Sequence, residues 1–298
     1  MQPAGSGTLG HDRRGLAALA LVFNAFTWGV SWWPFRQLES VGLHPLWLTT
    51  ITFTVAVAGL LVARPRALGE VLRTPVLWVL AAAAGTTNAC FNWGVTIGDV
   101  VRVVLLFYLM PLWAVLLARP LLGERIRPAA ALRIALALAG AAIVLWPAGG
   151  APDLRLTLPD VLGLVGGFSF ALNNVMLRRE AKRSEPARAL AMFAGGALMA
   201  LAFALAQSAS GAVPLPPAPA FSWVAGTVLL AAVFIASNLA LQFGAARLPA
   251  QVTAVIMLTE VVFASGSALA LGAGVLDGRT ALGGALILGA AALAALRR

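Results

Sequence analysis

The feature that most constrains this chain is a run of apolar stretches of about twenty residues each, parted by short polar breaks. A helix needs about 20 apolar residues to cross the hydrocarbon of a bilayer. The stretches are Leu16–Phe35, Pro45–Ala63, Pro75–Ile97, Val101–Ala118, Ala129–Trp146, Leu158–Leu177, Ala187–Gln207, Phe221–Phe243, Ala250–Leu271 and Thr280–Leu296. Backbone N–H and C=O groups find no partner in lipid, so segments of this kind satisfy themselves as helices. A barrel would show short alternating strands instead. Turn chemistry marks the breaks at Arg64-Pro65, Arg119-Pro120, Gly149-Gly150 and Pro214–Pro217. The expected fold is an all-α integral membrane protein of ten transmembrane helices.

Composition agrees. Only 11% of the 298 residues are charged, against about 25% in a soluble domain, and the mean hydropathy is +0.90. The net charge of +10 does not point to nucleic acid, because the arginines lie between apolar segments, where topology accounts for them. If the N-terminus is cytoplasmic, 17 of the 21 Lys and Arg fall in inside segments; Arg36, Arg102, Arg155 and Arg279 fall outside. That bias predicts a multi-pass membrane protein with both termini in the cytoplasm. The first stretch lacks a short apolar core followed by a small-residue cleavage site, and is expected to be retained as a span.

The chain also repeats itself. Phe26-Thr27-Trp28-Gly29-Val30-Ser31-Trp32 of the first stretch parallels Phe168-Ser169-Phe170-Ala171-Leu172-Asn173-Asn174 of the sixth. Asn88-Ala89-Cys90-Phe91-Asn92-Trp93-Gly94 of the third parallels Asn238-Leu239-Ala240-Leu241-Gln242-Phe243-Gly244 of the eighth. Five spans per half is an odd number, so the second half must enter from the opposite face. Residues 1–148 and 149–298 are thus expected to form two inverted five-helix repeats of one membrane domain. Architectures of this kind carry the substrate site near the midplane between the repeats and work by alternating access.

Three further pieces, Thr27-Trp28-Gly29, the run Phe107-Tyr108-Leu109-Met110-Pro111, and Gly123-Glu124-Arg125, resemble the drug/metabolite transporter superfamily, EamA-type. The resemblance covers essentially the whole chain and is nearest to the bacterial aromatic amino acid exporters of that superfamily. It implies ten helices in an inverted arrangement and export of a small-molecule substrate from the cytoplasm. Two positions depart from the family pattern: Thr259-Glu260 is followed by Val261 rather than proline, and the second half has no counterpart of Glu124.

Candidate substrate-binding residues are the polar and aromatic groups inside the spans. Glu260 is the only acidic residue deep in one. A carboxylate there costs roughly 2.5–3.5 kcal/mol on insertion scales, which makes function the default reading. It could exchange protons, giving proton coupling, or meet a substrate ammonium; the structural alternative is a protonated Glu bonded to a neighbouring helix. Asn88 and Asn92, like Asn238 and Gln242, are four apart on one helical face; they suit a neutral or zwitterionic ligand, or hold helices together. Asn24, Trp28, Ser31 and Trp32 share a face of the first span; Phe170, Asn173 and Asn174 do so in the sixth. Trp28, Trp93, Trp113, Tyr108 and Phe170 could wall a cavity for a flat side chain. Gly29, Gly85 and Gly94 read as close-packing positions, and Pro111 as a kink.

Absences narrow the function. One cysteine and two histidines provide no metal site. There is no phosphate-binding loop and no catalytic constellation in the spans, so no cofactor and no enzyme activity are expected. The reading is an exporter of aromatic or apolar amino acids, or similar neutral metabolites. Its alternatives are a multidrug exporter of lipophilic cations and a non-transporting scaffold or receptor. Oligomeric state is not readable from the sequence.

Overall fold

The computed structural model describes residues 6–123, 128–145, 156–180, 182–245, 247, 256–257 and 259–296. Among these the chain is all helix and turn: α1 Ser6–Val30, α2 Trp32–Ser40, α3 Pro45–Ala63, α4 Arg66–Arg73, α5 Pro75–Ile97, α6 Val100–Phe107, α7 Met110–Leu122, α8 Pro128–Leu145, α9 Leu158–Arg179, α10 Glu185–Ala209, α11 Phe221–Ala245, α12 Thr259–Ala270 and α13 Gly278–Leu296. Six helical stretches among the described residues are long and apolar enough to cross a membrane, or seven if α4 and α5 are one bent span. Ten were expected. Trp146 and residues 250–255 and 258, parts of the expected fifth and ninth spans, lie outside the described residues.

Two expected spans are broken, and proline explains both. A proline has no N–H to give to the carbonyl four residues back, and its ring crowds that carbonyl. The first stretch divides at Ser31, three residues before Pro34; the Ser31 amide turns to the Trp28 carbonyl at 3.3 Å. The fourth divides at Tyr108-Leu109, just before Pro111, with a tight Leu109-to-Leu106 bond of 3.2 Å. A third feature was not foreseen: the break after Arg64-Pro65 contains α4, which meets α5 at 100°.

Polar contacts gather the loops at two ends. At one end the Arg36 guanidinium donates to the carbonyls of Val95, Thr96 and Gly98, closing the C-terminus of α5. There too Trp47 donates to the Pro214 carbonyl and the Val275 amide donates to Asp99. Arg102 at the start of α6 pairs with Asp160 at the start of α9, at 2.6 and 3.1 Å. At the other end the Ser184 amide and hydroxyl both donate to Glu70. α1 starts beside the end of α11, where Ala17 meets Gly244, and α2 ends at the Arg36 end. α9 starts at that end, at Asp160, and finishes next to Ser184. The first and sixth expected spans therefore run in opposite directions.

The packing is paired in the same sense. α5 lies on α9 as α11 lies on α1, and α6 and α7 lie on α9 as α12 lies on α1; α3 packs on α10 and α8 on α13. Small residues allow the close approaches, as expected for helices that associate in lipid by packing. The α5–α10 contact is tightest, with Gly85 against the Gly195 carbonyl and Gly195 against the Ala81 carbonyl. Gly29 sits under α12, where a Cβ would lie 2.8 Å from the Glu260 carbonyl. Cys90, the single cysteine, is buried in α5 on the side of α9, where a Cβ on Gly166 would lie 3.6 Å from its own.

Candidate functional site

Four helices that meet in the middle of the bundle form most of the lining of a cavity of about 120 Å³. Each offers a residue pair at helical spacing: Asn24 and Trp28 from α1, Asn88 and Phe91 from α5, Phe170 and Asn173 from α9, Asn238 and Leu241 from α11. Phe107 from the end of α6 closes one wall, and Met257 and Glu260 close another. Positions three or four apart stand on one face of a helix, which is how short motifs from distant parts of the chain meet here.

The amides are oriented by their partners. The Asn24 nitrogen donates to the Ser237 carbonyl at 2.9 Å and to its hydroxyl at 2.7 Å. A carbonyl can only accept, so the nitrogen end must face Ser237, and Asn24 Oδ1 is left without a partner. Asn88 likewise donates its nitrogen to the Ala84 carbonyl at 2.8 Å. Asn173 Oδ1 is a second buried oxygen with no partner. With the Glu260 carboxylate, the cavity presents several acceptors and few free donors. Unmet buried acceptors cost on the order of 1–3 kcal/mol each unless something donates to them.

The helix break at Tyr108 has a direct use. It brings the phenol of a buried tyrosine to Glu260 Oε2 at 3.1 Å and to the Met257 carbonyl at 3.3 Å. The hydroxyl has one proton for two acceptors. Aromatic rings back the cavity: Trp28 stacks on Phe234 at 4.6 Å, and Phe107 packs on Phe91 at 4.8 Å and on Phe170 at 5.4 Å.

Of the residues singled out in the sequence, Asn24, Trp28, Asn88, Phe170, Asn238 and Glu260 line this cavity, and Tyr108 reaches it through Glu260. Others lie elsewhere. Asn92 is turned to α3, where its amide donates to Thr49 at 3.1 Å; the lining face of α5 runs through 84, 87, 88 and 91 and leaves residue 92 at its edge. The Ser31 hydroxyl is spent on the Trp28 carbonyl. Asn174 is exposed, and its neighbour Asn173 takes the cavity position. The Gln242 side chain lies outside the described residues. Trp93 packs against His44 and Trp113 against Phe168, away from the cavity. The sequence reading did not single out Phe91, Phe107, Met192 or Met257 as binding residues. For Phe91 a signal existed: it is three residues after Asn88 and matches Leu241 in the repeat.

Residues 15–146 match the EamA-like transporter family. An uncharacterized transporter of Pseudomonas aeruginosa is 35% identical over 101 residues, 33% of this chain and 34% of that protein. An uncharacterized transporter of Vibrio cholerae is 28% identical over 156 residues, 50% of this chain and 52% of that protein. The matched stretches thus span between a third and about half of the length of these relatives. A solved crystal structure, 25% identical, superimposes with a TM-score of 0.59 over 93% of this chain and 96% of the other. The first part of the chain, residues 15–146, is therefore similar to the EamA-like transporter family, and the chain is a multi-pass membrane protein.

Proposed function

We propose that this protein exports a small, largely apolar metabolite across the bacterial inner membrane, and that aromatic or other apolar amino acids, or similar neutral compounds, are its substrates. One observation carries the reading: equivalent positions of the two halves line one cavity. Trp28 and Phe170, Asn88 and Asn238, and Phe91 and Leu241 are matched pairs of the sequence repeat, and all six line it. A site built equally from two halves that run in opposite directions can open to either side by exchanging their shapes. The paired packing and the opposite sense of α1 and α9 support ten spans as two inverted five-helix repeats.

The topology has its own test. Reporter fusions at Gly150 and Ser184 are expected to show Gly150 outside and Ser184 in the cytoplasm. Signals from the same side at both positions would remove the odd-span argument.

Substrate class is tested by growth. Expression is expected to protect a sensitive cell from toxic aromatic amino acid analogues. Trp28→Ala should lower that protection at unchanged protein level. Ring contact is worth about 0.5–1.5 kcal/mol beyond area burial, so the loss in apparent affinity should be about 2- to 10-fold. Undiminished protection by the variant would take Trp28 out of the binding site.

A second reading, export of lipophilic cations, draws on the electrostatics. The cavity lining contains Glu260 and unmet amide oxygens but no Lys, Arg or His. Ethidium efflux that depends on Glu260, without amino acid flux, would favour it. Flux of neither class from proteoliposomes would favour the non-transporting scaffold or receptor.

A further inference from the structure

Away from the central cavity, α4 and the loop before α10 border an open cleft of about 700 Å³. Arg66, Gly69, Glu70 and Arg73 line it from α4, spaced along one helical face, and Pro65, Thr74 and Arg183 complete it. Glu70 is the only carboxylate in the lining, and both its oxygens are engaged by Ser184. The cleft therefore holds three guanidinium groups against one occupied carboxylate. Arg66 and Arg73 make no ion pair among the described residues, while Arg183 reaches Glu180 at 3.3 Å. No side chain stands on Gly69, and a Cβ there would meet nothing within 4 Å, so the floor between the arginines is open.

The depth of this cleft is fixed by its neighbours. α4 directly follows the apolar span α3 and turns 100° before α5 crosses back. Ala67 is buried against the bundle, while Leu68 and Leu72 are exposed on a third face. Trp78, also exposed, donates its indole N–H to the Val71 carbonyl at the end of α4. Exposed leucines on a short amphipathic helix, with an indole alongside, mark the level where acyl chains give way to headgroups.

We propose that this cleft binds the phosphate headgroup of an anionic phospholipid, whose acyl chains lie along Leu68 and Leu72. Guanidinium groups offer paired N–H donors that match phosphate oxygens, and their weak hydration suits a partly desolvated site. A free phosphate ion would satisfy the arginines alone; the exposed leucines beside them select a lipid. The cleft joins the α4 segment to the loop before α10, so a bound lipid bridges the two halves of the chain where Glu70 and Ser184 already meet.

The test uses the full chain, stripped of lipid in detergent and titrated with phosphatidylglycerol or phosphatidylcholine under native mass spectrometry. Phosphatidylglycerol is expected to bind first and tightest. Arg66→Gln/Arg73→Gln should weaken that step roughly tenfold or more, because each basic residue near an anionic surface adds about a fivefold factor. Phosphatidylcholine binding should not change. Where the double variant does not purify, Arg73→Gln alone should give a roughly fivefold loss, and Arg66→Lys/Arg73→Lys should recover most of the binding. Arg247→Gln, which removes an exposed arginine that does not line the cleft, should bind like wild type. Unchanged phosphatidylglycerol binding in the glutamine variants would overturn the proposal. So would an equal loss in Arg247→Gln, which would make the effect one of net charge. Displacement of the lipid by inorganic phosphate at the same concentration would assign the cleft to a soluble anion instead.

Discussion

In proteoliposomes carrying an acidic exterior, transport by Glu260→Gln is expected to fall to the level seen without a gradient, while exchange of substrate against substrate continues. The variant keeps the shape of the side chain and an acceptor for Tyr108, so the fold and the cavity should survive. What it loses is the capacity to take up and release a proton. Glu260 is the only acidic group among the cavity residues, so a coupled proton has no other carboxylate to use there. Tyr108→Phe tests the same site from the other side. It removes a hydrogen bond worth about 1.5–3 kcal/mol when the acceptor is charged, and should change the pH dependence of transport while leaving the gradient response present. A gradient response that persists in Glu260→Gln would reduce Glu260 to packing or to contact with a substrate ammonium. A wild type that ignores the gradient would make the protein a facilitator.

Gly195→Val is expected to abolish accumulation of folded protein. The α5–α10 contact is made backbone to backbone: the space a Cβ on Gly195 would fill is held by the Ala81 carbonyl, and Gly85 makes the reciprocal contact. A rigid carbonyl cannot turn aside as a side chain can, so the helices themselves must part. Overpacking of this kind costs about 1–3 kcal/mol for each inserted group even where side chains can adjust, and here both α5 and α10 would lose register. Fluorescence-detected size exclusion of tagged variants measures it directly. Gly266→Ala, at a glycine with nothing within 4 Å, is the matched control and should elute as wild type. Normal elution of Gly195→Val would show that α5 and α10 are not held as closely as described.

The sequence was most legible where the chain is punctuated. Apolar length gave the helices of the described residues, and of the matched amides Asn88 and Asn238 do meet at one cavity, because Asn in an apolar span is rare enough for a matching site to stand out. Proline gave a kink at Pro111, and the same reasoning applied to Pro34 would have given the break at Ser31. Legibility failed where neighbours decide. Asn88 and Asn92 look equivalent by spacing, but α3 supplies Thr49 to one and not the other. Asn173 and Asn174 are adjacent, about 100° apart around the helix; only the position of α5 determines which one faces the cavity. Met192 and Phe107 sit on helices that are apolar all round, where no polar stripe marks the inward side. α4 was hidden for a different reason: eight residues with charges at both ends read as a loop until the chain around them shows a membrane surface.

The place of Cys90 gives the molecule a built-in reporter. It is the only thiol in the chain, and it is shut into the seam between α5 and α9, one helix from each half. A maleimide cannot reach it while that seam is closed. Its alkylation rate therefore reads out how often the seam opens, without any residue being changed. Substrates that hold the halves together should slow the reaction, and those that drive the cycle should speed it.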